Sequence, residues 1–298
     1  MKYAIRYRKD FRHFDTVDEV IFSVHKGDES IVTFIPTVVK EDWQKATLDV
    51  TDYTLQTGKN LEDIIPFILK LKEIHSNILV QIQYPFKDEE VNLLKDNNIP
   101  FMAAYGWCKS LDMVYTMKEY GVSEVYVAEG LGFNLSAVKS VLSGTKIEIR
   151  VIPNVTQCAL GCRHKVPTIS KFWIRPEDTV FYNPYVNTFE LFNEDDKLSV
   201  VYEVYKQERW KGNIRNIILD ADDLDVSSAA LPPYFGSSRL DCKQKCLYGV
   251  YGKCEVCKAS FEFARTFEKT EEEIIYPKKE FKKVEKEYDK TESNEESV

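Results

Sequence analysis

The sequence predicts an α/β barrel of the TIM type, and two features of the chain carry that prediction. From about residue 60 onward, short β-rich segments alternate with segments of helical periodicity, which is the signature of parallel strands joined by crossover helices. The whole chain offers eight candidate strands, the number that a closed barrel needs. An open, doubly wound sheet is the alternative arrangement of the same elements.

The candidate strands are short runs in which β-branched and aromatic residues are frequent. Ile31–Pro36 is a further extended run, interpreted as an inserted or extra strand. The eight candidates are Glu19–Val24, Asn77–Tyr84, Pro100–Tyr105, Glu124–Ala128, Lys146–Ile152, Ser170–Ile174, Thr188–Phe192 and Asn216–Asp220.

Between these runs lie segments with apolar residues at helical spacing, and we expect each to form a crossover helix. The predicted barrel domain spans 1–235, a cysteine-rich metal-binding segment that packs on it spans 236–268, and 269–298 is a charged, flexible tail with little apolar content. The predicted helices are Leu61–Ile74, Asp88–Lys95, Ser110–Tyr120, Leu135–Leu142 and Lys197–Trp210.

Composition restricts the classes of partner. The chain of 298 residues has a net charge of −8 and a pI of about 5.3, so it repels a phosphate backbone and is not expected to bind nucleic acids generally. A local basic patch could still bind a structured RNA. No apolar stretch of about 20 residues and no secretory signal pattern is present, so we expect a cytoplasmic protein.

Cysteine spacing predicts a metal site. In a reducing compartment the seven cysteines should be thiols rather than disulfides, which makes metal ligation the leading explanation. Two short spacings within sixteen residues could complete a tetrahedral zinc site, or supply ligands to a [4Fe–4S] cluster. Spacing does not separate these cases. The candidate ligands are Cys158, Cys162, Cys242, Cys246, Cys254 and Cys257.

The pair Cys158 and Cys162 follows the predicted strand Lys146–Ile152, so it should lie at the carboxyl-terminal face of the barrel, where catalytic residues usually sit. One arrangement, slightly preferred, joins this pair to two later cysteines in one cluster. In the other, the last four cysteines bind zinc and the pair is redox-active or shares a second metal. Cys108 could add a thiol there, but a lone cysteine is more typically a small buried apolar residue.

Polar residues at or just after predicted strand ends are candidates for acid–base chemistry or for binding a cationic group. Arg175 could clamp a carboxylate or phosphate, or pair with Glu177. His164 could be a ligand or a proton carrier. Structural roles compete with each of these functions. The acidic and amide candidates are Glu129, Asn154, Glu177, Asp178 and Asp220.

Three runs, Glu124–Glu129, Lys146–Asn154 and Phe172–Asp178, resemble the collagenase-like "U-thirty-two" peptidase family, and the resemblance covers roughly residues 75–220. It implies a barrel with cysteine-bound iron–sulfur chemistry, in which Cys158 and Cys162 would be cluster ligands. Some members of the family look like oxygen-independent hydroxylation factors for RNA bases or quinone precursors.

The same resemblance would place Arg175 and Glu177 beside the site, and with Glu129 they are the predicted catalytic residues. The leading hypothesis is therefore an iron–sulfur barrel enzyme that modifies RNA or a small molecule. A non-catalytic interaction protein stabilised by zinc is the alternative from another class. Peptide hydrolysis is a third, although the sequence offers no nucleophile–base pair for it.

Overall fold

A computed structural model of the protein describes residues 1–25, 29–51, 53, 60–104, 108–127, 135–154, 173–194 and 196–218. Its centre is a closed barrel of eight strands in which every neighbouring pair is parallel. The first strand pairs with the last, from Lys2 opposite Thr188 to Ile5 opposite Leu191. The predicted α/β barrel is therefore confirmed, and the open sheet is not formed.

The strands follow one another around the barrel in sequence order. They are short, as in other barrels of this type. Their bounds are β1 (Lys2–Arg6), β2 (Glu19–Ser23), β3 (Lys45–Asp49), β4 (Ile78–Ile82), β5 (Phe101–Ala103), β6 (Glu124–Tyr126), β7 (Glu148–Val151) and β8 (Thr188–Leu191).

Helices surround the strands. Short 3-10 turns at Leu61–Asp63, Pro176–Asp178 and Ile214–Asn216 supplement them. The α-helices are α1 (Glu29–Val38), α2 (Ile65–Ile74), α3 (Asp88–Asp96), α4 (Leu111–Tyr120), α5 (Leu135–Val141), α6 (Thr179–Tyr182) and α7 (Leu198–Lys206).

The first crossover is irregular, because residues 7–18 connect β1 to β2 without a helix. Helix α7 packs against this segment instead. The Tyr202 hydroxyl donates to the Thr16 carbonyl at 2.6 Å, and the Tyr3 hydroxyl donates to the Tyr205 carbonyl at 2.8 Å. Helix α7 therefore covers the seam between β8 and β1 in the outer layer.

Local sequence signals explain where helix α4 begins and ends. Ser110 is its N-cap and accepts a hydrogen bond from the Met113 backbone N–H at 3.3 Å. Gly121 ends the helix in the left-handed conformation, with φ of 70°, which a residue without Cβ adopts at little cost. These two residues fix the helix to the bounds that its apolar spacing predicts.

Side chains alternate between the two faces of each strand. Outward-facing residues such as Val20, Leu48 and Val80 belong to the large apolar core between the barrel and the helices. Inward-facing apolar residues form a second, small cluster of Leu79, Met102, Tyr126 and Ile152. The rest of the interior is polar, and it contains the candidate site.

Two predicted strands are wrong in their described parts. Ile31–Pro36 lies within helix α1, because its buried residues Val32, Ile35 and Val39 have helical spacing. Asn216 belongs to a 3-10 turn, and no strand includes the residues that follow it to 218.

Ser170–Ile174 is wrong in its described part as well. Trp173 and Ile174 lie outside the named strands, although the Ile174 N–H donates to the Pro153 carbonyl at 2.9 Å. The two strands that complete the count of eight, β1 and β3, were not predicted. The five predicted helices are confirmed within one to four residues at their ends, the first as a 3-10 turn followed by α2.

Within the described part of the chain, no helix is both long enough and apolar enough to cross a membrane. The predicted cysteine-rich segment 236–268 and tail 269–298 lie outside the described residues. Their boundaries stay predictions.

Candidate functional site

The interior of the barrel is lined by charged side chains. Several side-chain contacts join strands that are not neighbours, among them those from β7 to β2, from β3 to β6 and from β1 to β3, so these side chains reach across the barrel interior. Interiors of this fold are dominated by bulky branched apolar residues, which makes the charged lining a distinctive feature. The residues are Arg6, Glu19, Lys45, Asp49, Glu124, Arg150 and Glu190.

Arg150 on β7 is the central residue of this lining and is completely buried. Its Nη2 donates to both carboxylate oxygens of Glu19, at 2.6 and 2.7 Å, and to Oε2 of Glu124 at 2.7 Å. Its Nη1 donates to Oε2 of Glu190 at 3.2 Å. One guanidinium therefore fixes three carboxylates from β2, β6 and β8, as its planar fork of donors allows.

Lys45 continues the network toward the amino-terminal end of the barrel. Its Nζ bonds to Glu124 and lies 3.6 Å from Oε2 of Glu19. At the rim, the more exposed Lys2 bonds to Glu148 at 2.9 Å. In this half of the interior, positively and negatively charged side chains alternate. We call this set the ladder; its members are Lys2, Glu19, Lys45, Glu124, Glu148 and Arg150.

The ladder determines the ionisation of Glu124. Burial alone would raise the pKa of this carboxyl, but Arg150 and Lys45 outweigh it and lower the pKa to about 2. Burial alone would lower the pKa of Lys45, and Glu19 and Glu124 reverse that effect, so the pKa lies above its usual range. Both groups are therefore charged at neutral pH.

A second polar group forms the floor of the barrel mouth, at the carboxyl-terminal ends of β1, β3, β4 and β8. Arg6 joins its members. Its Nη1 donates to Oδ2 of Asp49 at 2.6 Å, its Nε lies 3.4 Å from Oε1 of Glu190, and its Nη2 lies 3.5 Å from Oε1 of Gln81. The guanidinium also lies over the Phe192 ring, 5.7 Å from its centroid. We call Arg6, Asp49, Gln81 and Glu190 the mouth floor.

The two carboxylates of the mouth floor have different environments. Asp49 is 10% exposed at its side chain and is held by Thr51, whose hydroxyl donates to Oδ1 at 2.6 Å. Glu190 lies deeper, and its side chain is 0% exposed. Burial raises its pKa above the ordinary value, and the opposing effects of Arg6 and Arg150 offset only part of that rise. The barrel thus contains one carboxyl that stays ionised, Glu124, and one that burial drives toward its protonated form.

The structure describes only some of the predicted site residues. Glu129, His164, Asp220 and all six predicted metal ligands, Cys158, Cys162, Cys242, Cys246, Cys254 and Cys257, lie outside the described residues. Their predicted roles are therefore untested.

Arg175 and Glu177 are described, and they lie at a 3-10 turn that packs against α7 in the outer layer. Arg175 does not pair with Glu177. It binds Asp178 through two hydrogen bonds, at 2.6 and 2.7 Å. Glu177 accepts from the Trp210 backbone N–H at 2.5 Å. These contacts join the turn to the segment after α7, and they do not bring either residue to the mouth floor. The predicted catalytic roles of Arg175 and Glu177 stay predictions.

Two further candidates also have structural contacts. The Asn154 side chain bonds to the backbone of Phe192 and Ile217, and so ties the end of β7 to β8 and to the segment after α7. Cys108 is fully buried, as expected of a lone apolar cysteine, and burial raises the pKa of its thiol to about 12. Among the described residues, no group of three or more histidine, cysteine, aspartate or glutamate side chains could hold a metal ion.

The mouth floor was missed at the level of sequence, although a signal for it exists. Charged and polar residues recur at every second position within short strands, as in Lys45, Thr47 and Asp49 of β3. In a closed barrel one face of each strand must point inward. Period-two polarity inside a strand of a predicted barrel therefore indicates a polar interior.

Comparisons with known proteins add a fold-level likeness. No family model matches the chain, and no curated protein matches it. Among solved structures, the chain is similar to the one described as "The Structure of the U32 Peptidase Mk0906", with 12% sequence identity and a TM-score of 0.39, over 65% of this chain and 93% of that one. The relationship is distant and concerns the fold alone.

Proposed function

We propose that the chain is a barrel enzyme that modifies a small polar molecule at its carboxyl-terminal mouth by acid–base chemistry. The observation that carries the proposal is the mouth floor, which four strands build at the end of the barrel where enzymes of this fold assemble their catalytic groups. Buried charges are costly, and apolar residues of similar volume often fill such space at no loss of stability. A charged floor at this end is therefore better explained by chemistry than by packing.

The two carboxylates of the floor suit different roles. Asp49 is the one that reaches the solvent, so it is the group that would contact a substrate and accept a proton. Glu190 has a raised pKa, which is the direction of shift that favours a proton donor. Arg6 lies between them and fixes both, which makes it a positioning residue.

Charge favours a small molecule over RNA as the substrate. The mouth floor contains two carboxylates and one guanidinium, and the whole chain is acidic with a net charge of −8. An RNA backbone would bring further negative charge to this surface. A small molecule can reach the floor without placing phosphates against it.

We also propose an iron–sulfur cluster, with zinc as the alternative metal. This part of the proposal rests on cysteine spacing alone. Cys108, the cysteine that the structure describes, is fully buried, as expected of a lone apolar cysteine. The six clustered cysteines lie outside the described residues. Anaerobic purification followed by iron, sulfide and zinc analysis tests this part, and zinc alone would overturn the cluster.

The proposed active site is tested by ligand binding, since no substrate is known. A library of small polar metabolites is screened by thermal shift against the full chain, and each ligand found is retested on Asp49→Asn and on a control, Lys2→Met. Lys2 lies at the opposite end of β1 from the mouth floor, in an exposed pair with Glu148. We expect ligands to stabilise the parent and the control and to lose at least tenfold in affinity with Asp49→Asn. Ligands that bind all three proteins equally would refute the proposed site.

A further inference from the structure

Among the described residues, the barrel interior contains one more carboxylate than it has cations to balance. Three cations, Arg6, Lys45 and Arg150, face four carboxylates, Glu19, Asp49, Glu124 and Glu190. The rim pair of Lys2 and Glu148 adds one charge of each sign and leaves the balance unchanged. With every group ionised, the interior would have one excess negative charge in a medium that screens it poorly.

The excess charge is located at Glu190. Glu19 receives two hydrogen bonds from Arg150 and one from the Thr47 hydroxyl at 2.5 Å, and Glu124 is bonded to both Arg150 and Lys45. Glu190, in contrast, has one oxygen, Oε1, without a hydrogen bond of standard geometry, although its side chain is fully buried. Arg6 is at ion-pair distance from this oxygen but is shared with Asp49.

The groups that face Glu190 come from four other strands. Arg6 on β1 and Arg150 on β7 favour its ionised form, whereas Glu19 on β2 and burial oppose it. Tyr126 on β6 also interacts with it. The balance of these effects raises the pKa of Glu190, so a proton is the simplest source of the missing positive charge in the unliganded protein.

We infer that the molecule bound at the mouth floor is a cationic amine, an inference that rests on the proposed function. Its ammonium group replaces the proton on Glu190. A metal ion is a poor candidate for this place, because no group of three or more histidine, cysteine, aspartate or glutamate side chains among the described residues could hold one. An ammonium group needs only one or two acceptors with suitable geometry. Asp49 and Oε1 of Glu190, which lies 3.4 Å from Nε of Arg6, supply them.

Exchange of a proton for a cation links binding to pH. While Glu190 is protonated and the amine is charged, each bound amine releases one proton, so its affinity should rise up to tenfold per pH unit. The rise should stop above the pKa of Glu190. A neutral ligand would release no proton and show no such rise.

The test uses the full chain and matched pairs of small ligands, namely diamines such as putrescine and cadaverine against the diols of the same length. Binding is measured by calorimetry between pH 5 and 8 in two buffers of different ionisation heat, which reports the number of protons released. We expect each diamine to bind at least tenfold more tightly than its diol and to release close to one proton. Glu190→Gln, which is nearly isosteric, should abolish both the proton release and the pH dependence.

Glu89→Gln is the matched control, because Glu89 is an exposed acid on α3 and its loss changes the net charge by the same amount. It should behave as the parent does. Diols that bind as tightly as diamines and depend on Asp49 would overturn the cationic ligand while leaving the proposed site intact. If Glu190→Gln and Glu89→Gln weaken diamine binding equally, the effect is a general one of net charge, and the inference is overturned. The inference is also overturned if no diamine binds more tightly than its diol.

Discussion

Replacing Arg150 by methionine removes the one cation that contacts three buried carboxylates, Glu19, Glu124 and Glu190. Methionine is similar in length and apolar, so the change tests charge more than volume. The carboxylates left behind would have to be protonated, or stay ionised with too few partners. We therefore expect the native barrel to lose much of its stability at neutral pH.

The magnitude follows from the pKa of Glu124. A decrease from the ordinary value of 4.5 to about 2 corresponds to roughly 3 kcal/mol of stabilisation of the ionised form, of which Arg150 is the largest favourable source. Breaking a buried ion pair by removing one partner generally costs about 3–5 kcal/mol. Both routes predict that Arg150→Met lowers the free energy of unfolding by roughly 3 kcal/mol or more.

The measurement is urea unfolding at pH 7, followed by circular dichroism, with Lys2→Met as the control. The Lys2–Glu148 pair is exposed, with 48% and 30% of the two side chains accessible, so its loss should cost about 0–1 kcal/mol. A difference of less than about 1 kcal/mol between Arg150→Met and this control would refute the idea that Arg150 holds the interior together.

The pH dependence provides a second check on the same variant. Glu124 has a lowered pKa in the folded state, so its contribution to stability is present above pH 4.5 and is lost as the pH falls toward 2. Arg150→Met lacks most of that contribution at every pH. The gap between the parent and Arg150→Met should therefore narrow as the pH falls from 4.5 to 2, and a constant gap would contradict the assignment.

Four other substitutions have direct structural expectations. Asp178→Asn removes the charge that accepts both hydrogen bonds from buried Arg175, and urea unfolding should show a loss of about 3 kcal/mol; no loss would contradict the buried pair. Gly121→Ala and Gly144→Ala each place a Cβ atom on a backbone with positive φ, 70° and 77° respectively. Each should lower the free energy of unfolding by about 1 kcal/mol. Unchanged stability in both variants would be inconsistent with left-handed turns. The Cys108 thiol should react with a thiol reagent only on unfolding, so that Cys108→Ala and the parent show equal thiol counts when native.

The sequence predicts the fold because the barrel depends on periodicity and on the alternation of elements. Helices such as α4 have both a cap and apolar spacing, and either alone would locate them. The strands that were missed, β1 and β3, have charged residues at their first positions and further charged residues on the same face, so neither forms an apolar run. The wrong prediction at Ile31–Pro36 shows the reverse error, since β-branched residues there suggested a strand while the buried positions have helical spacing.

The site was harder to predict than the fold because its residues are distant in sequence. Arg6, Asp49 and Glu190 are brought together only by closure of the barrel, and none of them belongs to a short motif. Arg175 and Glu177 are in a recognisable run, but the partners described for them, Asp178 and Trp210, lie outside the mouth floor. Motif-based reasoning finds residues that are close in the chain, whereas the mouth floor is defined by strand register.

The strand register also separates stability from chemistry along the barrel axis. At the amino-terminal end, Lys45 and Arg150 contact Glu19 and Glu124 through several bonds each, and the two cations balance the two carboxylates. Only Nη1 of Arg150 donates to Glu190. Glu190 is therefore the carboxyl with the least compensating positive charge, and it lies on the side that faces the mouth. A barrel filled only for stability would gain nothing by leaving that deficit next to solvent-accessible Asp49, whereas a site that must attract a cation and exchange it for a proton requires such a deficit.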